Sequence, residues 1–211
     1  MQLFSRVATL SGSERRSMTW AAEMSAYVDA HSDHDVSLWR CDFGHPVGTV
    51  VWSAWVDSLA DLTAGFSTLV EDDGYHALIE AGLEFTGTAP EDMLREVVHG
   101  GPTGGEAPPV GAVTTVTTAV MAAGKYQDAL GWGVEVAQLV EELTQLPTSF
   151  LVDGYGTFGQ VTWLSGAADP TSADAANAAI NASDKYLSSV SDASTLFEPG
   201  SGHRAMYTRL A

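Results

Sequence analysis

The sequence holds one cysteine, two lysines and no apolar run near the roughly 18 residues that a bilayer-crossing helix needs. Cys41 alone can build neither a disulfide framework nor a multi-cysteine zinc site, and it reads as a small buried apolar group in a reducing compartment. Lysine and arginine together number 9 against 27 aspartates and glutamates, a net charge of −18. The resulting negative potential repels phosphate backbones and anionic bilayers, so neither nucleic acid nor a membrane is an expected partner. The opening residues MQLFSRVATLSGSERRS lack a basic segment followed by an apolar core, which points away from export and toward the cytoplasm. No Ser-His-Asp order, paired-carboxylate motif or phosphate loop is present either. With 45% apolar and 17% charged residues over 211 positions, the chain can still bury a substantial core.

What is present is written twice. VGTVVWSAWV from Val47 returns as FGQVTWLSGA from Phe158. At a spacing of 111, Asp42, Gly48, Val50, Trp52, Ala64, Asp73 and Tyr75 meet Asp153, Gly159, Val161, Trp163, Ala175, Asp184 and Tyr186. Earlier in each half the spacing is 112, pairing Gly12, Trp20, Glu23 and Val28 with Gly124, Trp132, Glu135 and Val140. Between the copies, HGGPTGGEAPPVG is rich in glycine and proline and has no apolar period. The division expected is a first unit over 1–99, a linker over 100–110 and a second unit over 111–211.

Each unit reads β-α-β-β-α-β. LFSRVATL alternates as a strand, and SERRSMTWAAEMSAYVDA carries small and apolar residues at helical spacing. DVSLWRCDF and VGTVVWSAWV flank a short turn, as in a hairpin. A helix broken near Asp72–Gly74 and the strand EDMLREVV follow, and the second half repeats the order. That is a ferredoxin-like unit, whose sheet is covered by helices on one face only. Two copies in one chain can cover each other's bare faces, which is a reason to write the unit twice.

The element order, the duplication and the matched Trp/Gly hairpins resemble the dimeric α+β barrel superfamily, which includes antibiotic-biosynthesis-type monooxygenases, NIPSNAP-like and EthD-like proteins and the fused-repeat chlorite dismutases. The resemblance implies an α+β fold of two tandem ferredoxin-like units packed sheet to sheet as an intramolecular dimeric α+β barrel, with a ligand cavity walled by helices. It specifies fold far better than activity. Haem-degrading relatives pair a helix histidine with an asparagine on the first strand. Here LFSRVATL has no asparagine, and the second unit's histidine is His203, near the C-terminus. No haem, metal or other cofactor is therefore expected.

Several residues could carry chemistry. His76, on the second helix beside Tyr75, can serve as a general base near neutral pH, and the two are the candidate catalytic pair. Trp39, Trp55 and His45 are the candidate ligand-binding residues, because they are polar or large aromatic groups that the second copy replaces; the cavity is accordingly expected in the first unit. HSDHD, His31 to Asp35, has ligand-type side chains without a recognised metal spacing and reads as a polar loop. GYGTFG matches GxGxxG, but a strand follows it where a dinucleotide site needs a helix, so it reads as a hairpin. Asn181, in a matching glycosylation sequon, lies on an expected helix. The expected function is small-molecule binding, in the manner of a cofactor-independent monooxygenase or isomerase acting on an apolar or aromatic substrate. The alternative is a non-catalytic structural subunit. The Ala- and Ser-rich SADAANAAINASDKYLSSVS would suit helix packing in a homo-oligomer or larger assembly, or close packing onto its own sheet.

Overall fold

In the computed structural model, which describes residues 1–102 and 107–211, the alternating run at the start forms β1 (Gln2–Thr9) and the helical pattern after it forms α1 (Glu14–His31). The hairpin is β2 (Ser37–Phe43) and β3 (Thr49–Val56); the broken helix is α2 (Leu59–Val70) and α3 (Asp73–Gly82); β4 (Glu91–His99) closes the unit. The second copy runs β5 (Val113–Val120), α4 (Tyr126–Thr144), β6 (Thr148–Tyr155), β7 (Gln160–Ala167), α5 (Pro170–Asn181), α6 (Asp184–Asp192) and β8 (His203–Arg209). Residues 103–106 of the expected linker lie outside the described residues. Even the helix starts are duplicated. Ser58 and Asp169 cap α2 and α5, and Asp72 and Ser183 cap α3 and α6, each side-chain oxygen accepting from an orphan backbone N–H.

The strands form one closed antiparallel barrel in the order β1-β3-β2-β8-β5-β7-β6-β4. Within each unit the order is 4-1-3-2, as the β-α-β-β-α-β connection requires. The units join at two seams, β2 with β8 and β4 with β6. The two sheets therefore do more than face each other: each hydrogen-bonds to the other at both edges, which leaves no open edge for another chain to extend. No helix among the described residues is long and apolar enough to cross a membrane.

The repeated tryptophans anchor each helix layer to its sheet. Trp20 meets Trp52 edge-on at 5.9 Å and 81°, and Trp132 meets Trp163 at 5.8 Å and 81°. Trp52 Nε1 donates to the Ala21 carbonyl and Trp163 Nε1 to that of Gly133, so each indole N–H is satisfied by its own unit's helix. The ladders correct one sequence pairing. Leu38 stands opposite Trp52 and Phe150 opposite Trp163, so the spacing of 112 persists into β2 and β6, and Asp42 is not the equivalent of Asp153. Asp42 binds Arg40 and Thr208, whereas Asp153 binds Arg95.

Because side chains alternate along a strand, the face opposite the helices fills the barrel lumen. Trp39, Val51 and Val116 pack there around Cys41, Ala205 and Tyr207, and burial pushes the Cys41 thiol up. The lumen also holds an ion pair across the β4–β6 seam. Arg95 Nε lies 2.9 Å from Asp153 Oδ1, with side chains 8% and 0% exposed. Arg95 also donates to Ser5 Oγ, and Gln160 Nε2 donates to Asp153 Oδ2. Burial pushes the Asp153 carboxyl up from its ordinary value against the pull of Arg95.

Candidate functional site

The two copies fill the space between sheet and helices differently. In the second, Phe150, Trp163, Trp132 and Phe197 form a ring cluster with centroid separations of 5.0 to 5.9 Å. In the first, Leu38 stands at the place of Phe150, and Thr86, bridged to Leu10 as Phe197 is to Met121, stands at the place of Phe197. Phe85, the residue before Thr86, packs on Trp20 at 6.0 Å, and beside this cluster lies a cavity of about 350 Å³, within the range of small-molecule sites. Phe4, Ala8, Trp52 and Ala54 of the sheet form its floor, and Leu62, Phe66 and Leu69 of α2 its roof. Ile79, Leu83 and Pro90 border it where α3 passes to β4, and Leu83 is 68% exposed, an apolar side chain at the mouth.

A linked polar group, Arg6, Asp92 and Tyr75, is built into this lining. Arg6 lies on β1 between Phe4 and Ala8, so alternation turns it toward the helices with them. Its Nε and Nη2 each donate to Asp92 at 2.7 Å, and its Nη1 reaches the Tyr75 hydroxyl at 3.5 Å. The guanidinium also sits 5.9 Å from the Phe4 ring and 5.7 Å from the Phe66 ring. Its hydrogen bonds to Asp92 outweigh burial and hold Arg6 above its ordinary value, so it is a fixed cation. Tyr75 is placed by the start of α3, where its N–H donates to Asp72, which also accepts from the Tyr27 hydroxyl. The other polar lining residue of note is His34, which approaches from the loop before β2, at the opposite edge of the unit's sheet from β4.

Of the residues singled out in sequence, Tyr75 lines the cavity. His76 does not: it is exposed and its Nε2 lies 2.7 Å from the Val70 carbonyl, tying α3 to the end of α2. Trp39 and Trp55 lie on the lumen side of the strands, Trp39 donating to Ser53 Oγ. His45 packs on His203 at 4.7 Å across the β2–β8 seam. The five are thus spread over four places. Sequence reasoning passed over Arg6 and Asp92, and read His34, which is buried, as part of the polar loop HSDHD. The signal for Arg6 was available: a lone cation in phase with the apolar residues of an alternating strand is an anomaly for the buried face.

The remaining motifs resolve locally. Gly159 of GYGTFG has φ 78° and its counterpart Gly48 has φ 91°, so both serve left-handed hairpin positions. In HSDHD, His31 stacks on Tyr27 while His34 is buried, and among the described residues no three His, Cys, Asp or Glu side chains converge as a metal site would require. The alanines of α5 at 173 and 176 are buried, Ala173 packing with Val113 and Ala167 of its own unit's sheet.

No family model and no curated protein matches the chain. Solved structures do match in fold. A protein of Fusobacterium nucleatum provisionally named a monooxygenase superposes with a TM-score of 0.72 at 7% identity, covering 100% of this chain and 92% of the other. An anthrone oxidase-like protein gives 0.69 at 14% identity, covering 100% and 91%. A provisionally named monooxygenase of Lactobacillus acidophilus gives 0.64 at 8% identity, covering 99% and 93%. At such identities the likeness speaks for fold alone. Together with the eight-strand closure, it establishes that this chain has the dimeric α+β barrel fold, both halves of the barrel being carried by one polypeptide.

Proposed function

We propose that the protein binds a flat apolar molecule bearing an enolisable or phenolic oxygen, and oxidises it with molecular oxygen without a resident cofactor. The observation that carries this reading is the apolar chamber of about 350 Å³ with a fixed cation and a tyrosine hydroxyl in its wall. An oxyanion formed on the substrate would be stabilised by Arg6 and Tyr75 against the apolar wall of the chamber. An electron-rich anion of this kind can itself reduce oxygen. For an activated methylene, CH₂ plus O₂ becomes C=O plus H₂O, the substrate supplying the four electrons and both hydrogens. The names of the neighbouring structures, monooxygenase and anthrone oxidase-like, support this class of reaction.

The test is incubation with anthrone under ¹⁸O₂, following labelled ketone by mass spectrometry and binding by the fluorescence of Trp20 and Trp52, which line the cavity. The expected result is one labelled oxygen per product, with turnover lowered by Tyr75→Phe and by Arg6→Ala. Binding without turnover would leave a ligand-binding protein. Failure of anthrone and simpler phenols to bind would favour the structural-subunit alternative.

A further inference from the structure

The chamber borders a second space across one side chain. A recess of about 400 Å³ lies against the outer side of His34, lined by His31, Ser32, Asp33, Asp61, Gly65 and Thr68 among others. His34 is the residue common to both linings. On the chamber side its neighbours in the wall are Val28, Val36 and Leu62; on the recess side they are hydroxyls, carboxylates and an imidazole.

The ring is 9% exposed, and its Nε2 is buried without a hydrogen-bond partner. It lies against Gly65 of α2, where a Cβ would come within 2.6 Å of Nε2, so the glycine makes room for it. A buried, unpaired imidazole nitrogen is a poor way to fill space. In the second copy the spacing of 112 shared by β2 and β6 puts Leu146 at this place, an apolar side chain that needs no partner. A polar group kept at a cost where an apolar one would fit calls for a partner that this arrangement does not supply. Turned into the recess, the imidazole would face a space lined by the Asp61 carboxylate and the Thr68 hydroxyl.

We propose that His34 is a swinging partition, and that the complete site takes an amphiphile longer than the chamber: its phenolic end at Arg6 and Tyr75, its apolar body in the chamber and a second polar end in the recess. This rests on the chamber being a ligand site, as proposed above. His34 is then the residue that sets ligand length and the polarity of the far end.

The test is displacement of 1-anilinonaphthalene-8-sulfonate by 4-alkylphenols from butyl to dodecyl, and by the same series with a terminal hydroxyl. For the wild type, affinity is expected to climb to a limiting length, beyond which hydroxyl-ended members bind about tenfold more tightly than plain ones. His34→Leu should lose that advantage. His34→Ala should abolish the length limit, with long plain phenols binding about tenfold more tightly than to the wild type. His34→Val, a milder truncation, should give an intermediate shift and serves if the alanine variant does not fold. Short phenols that bind, with the same length profile in every variant, would overturn the partition and leave the ligand chamber standing. A protein that responds to no phenol, by dye displacement or by tryptophan fluorescence, would overturn both.

Discussion

Replacing Asp153 by leucine removes the carboxylate from the lumen ion pair and leaves the Arg95 guanidinium 8% exposed, with Ser5 Oγ and the Met93 sulfur as its remaining partners. An uncompensated buried charge of this kind costs about 3–5 kcal/mol. For a domain of this length each kcal/mol moves the melting temperature by roughly 2–4 °C, so Asp153→Leu should melt about 6–20 °C below the wild type. The double variant Arg95→Met/Asp153→Leu behaves differently. The raised Asp153 carboxyl shows that burial already works against the ionised form despite Arg95, so an apolar pair of similar volume should return stability to within about 1 kcal/mol of the wild type, or above it. Urea melts of the wild type, both single variants and the double variant give the coupling energy directly. The reasoning fails if Asp153→Leu costs less than about 1 kcal/mol, or if the double variant is as unstable as the sum of the singles.

Thr86→Phe writes the second copy's Phe197 into the chamber and should weaken phenol binding at least about tenfold while leaving the melting temperature unchanged or raised, as fluorescence titration and a thermal melt would show. Tyr75→Phe removes a hydroxyl that would bond an oxyanion, a loss of about 1.5–3 kcal/mol, to be read as a fall in kcat/KM with anthrone. His76→Leu exchanges an exposed ring outside the cavity and should change the same constant by no more than about twofold. His45 is held below its ordinary value of 6.5, first by burial and then by His203, so the unfolded chain binds the extra proton more readily. Its contribution to stability is present above pH 6.5 and is lost as pH falls through the folded value; pH-dependent melts should show this slope, and His203→Gln should reduce it.

The barrel was legible because its determinants are local and written twice. Alternation, helical spacing and turn residues marked the elements, and the Trp52/Trp163 and Trp20/Trp132 pairs marked the same contacts in each copy. The seams were less legible, since β2 with β8 and β4 with β6 join segments distant in the chain and carry no local signature. For the site, looking for differences between the copies pointed to the first unit, where the chamber lies, but of the five residues singled out Tyr75 alone lines it. Trp55 and His76 do differ from Gly166 and Leu187, but the first faces the lumen and the second the surface. Thr86 lines the chamber where the second copy has Phe197, and a small residue standing for a large one attracts no notice in a linear reading. His34 stood inside a motif weighed as a metal site, and its burial depends on Gly65, thirty-one residues onward.

Carrying both halves on one chain changes how the barrel responds to dilution. Two separate chains meeting at the same seams would assemble by a bimolecular step, and their melting temperature would rise with protein concentration. Here β4 and β5 are separated by the short stretch between His99 and Val113, which holds the partner half at an effective concentration of the order of millimolar. Closure at the β2–β8 and β4–β6 seams is therefore first-order, and the barrel persists at any abundance of the chain. Exchange of halves with another molecule must compete with that tether, so a mixture of two tagged preparations would stay unmixed for as long as the fold survives.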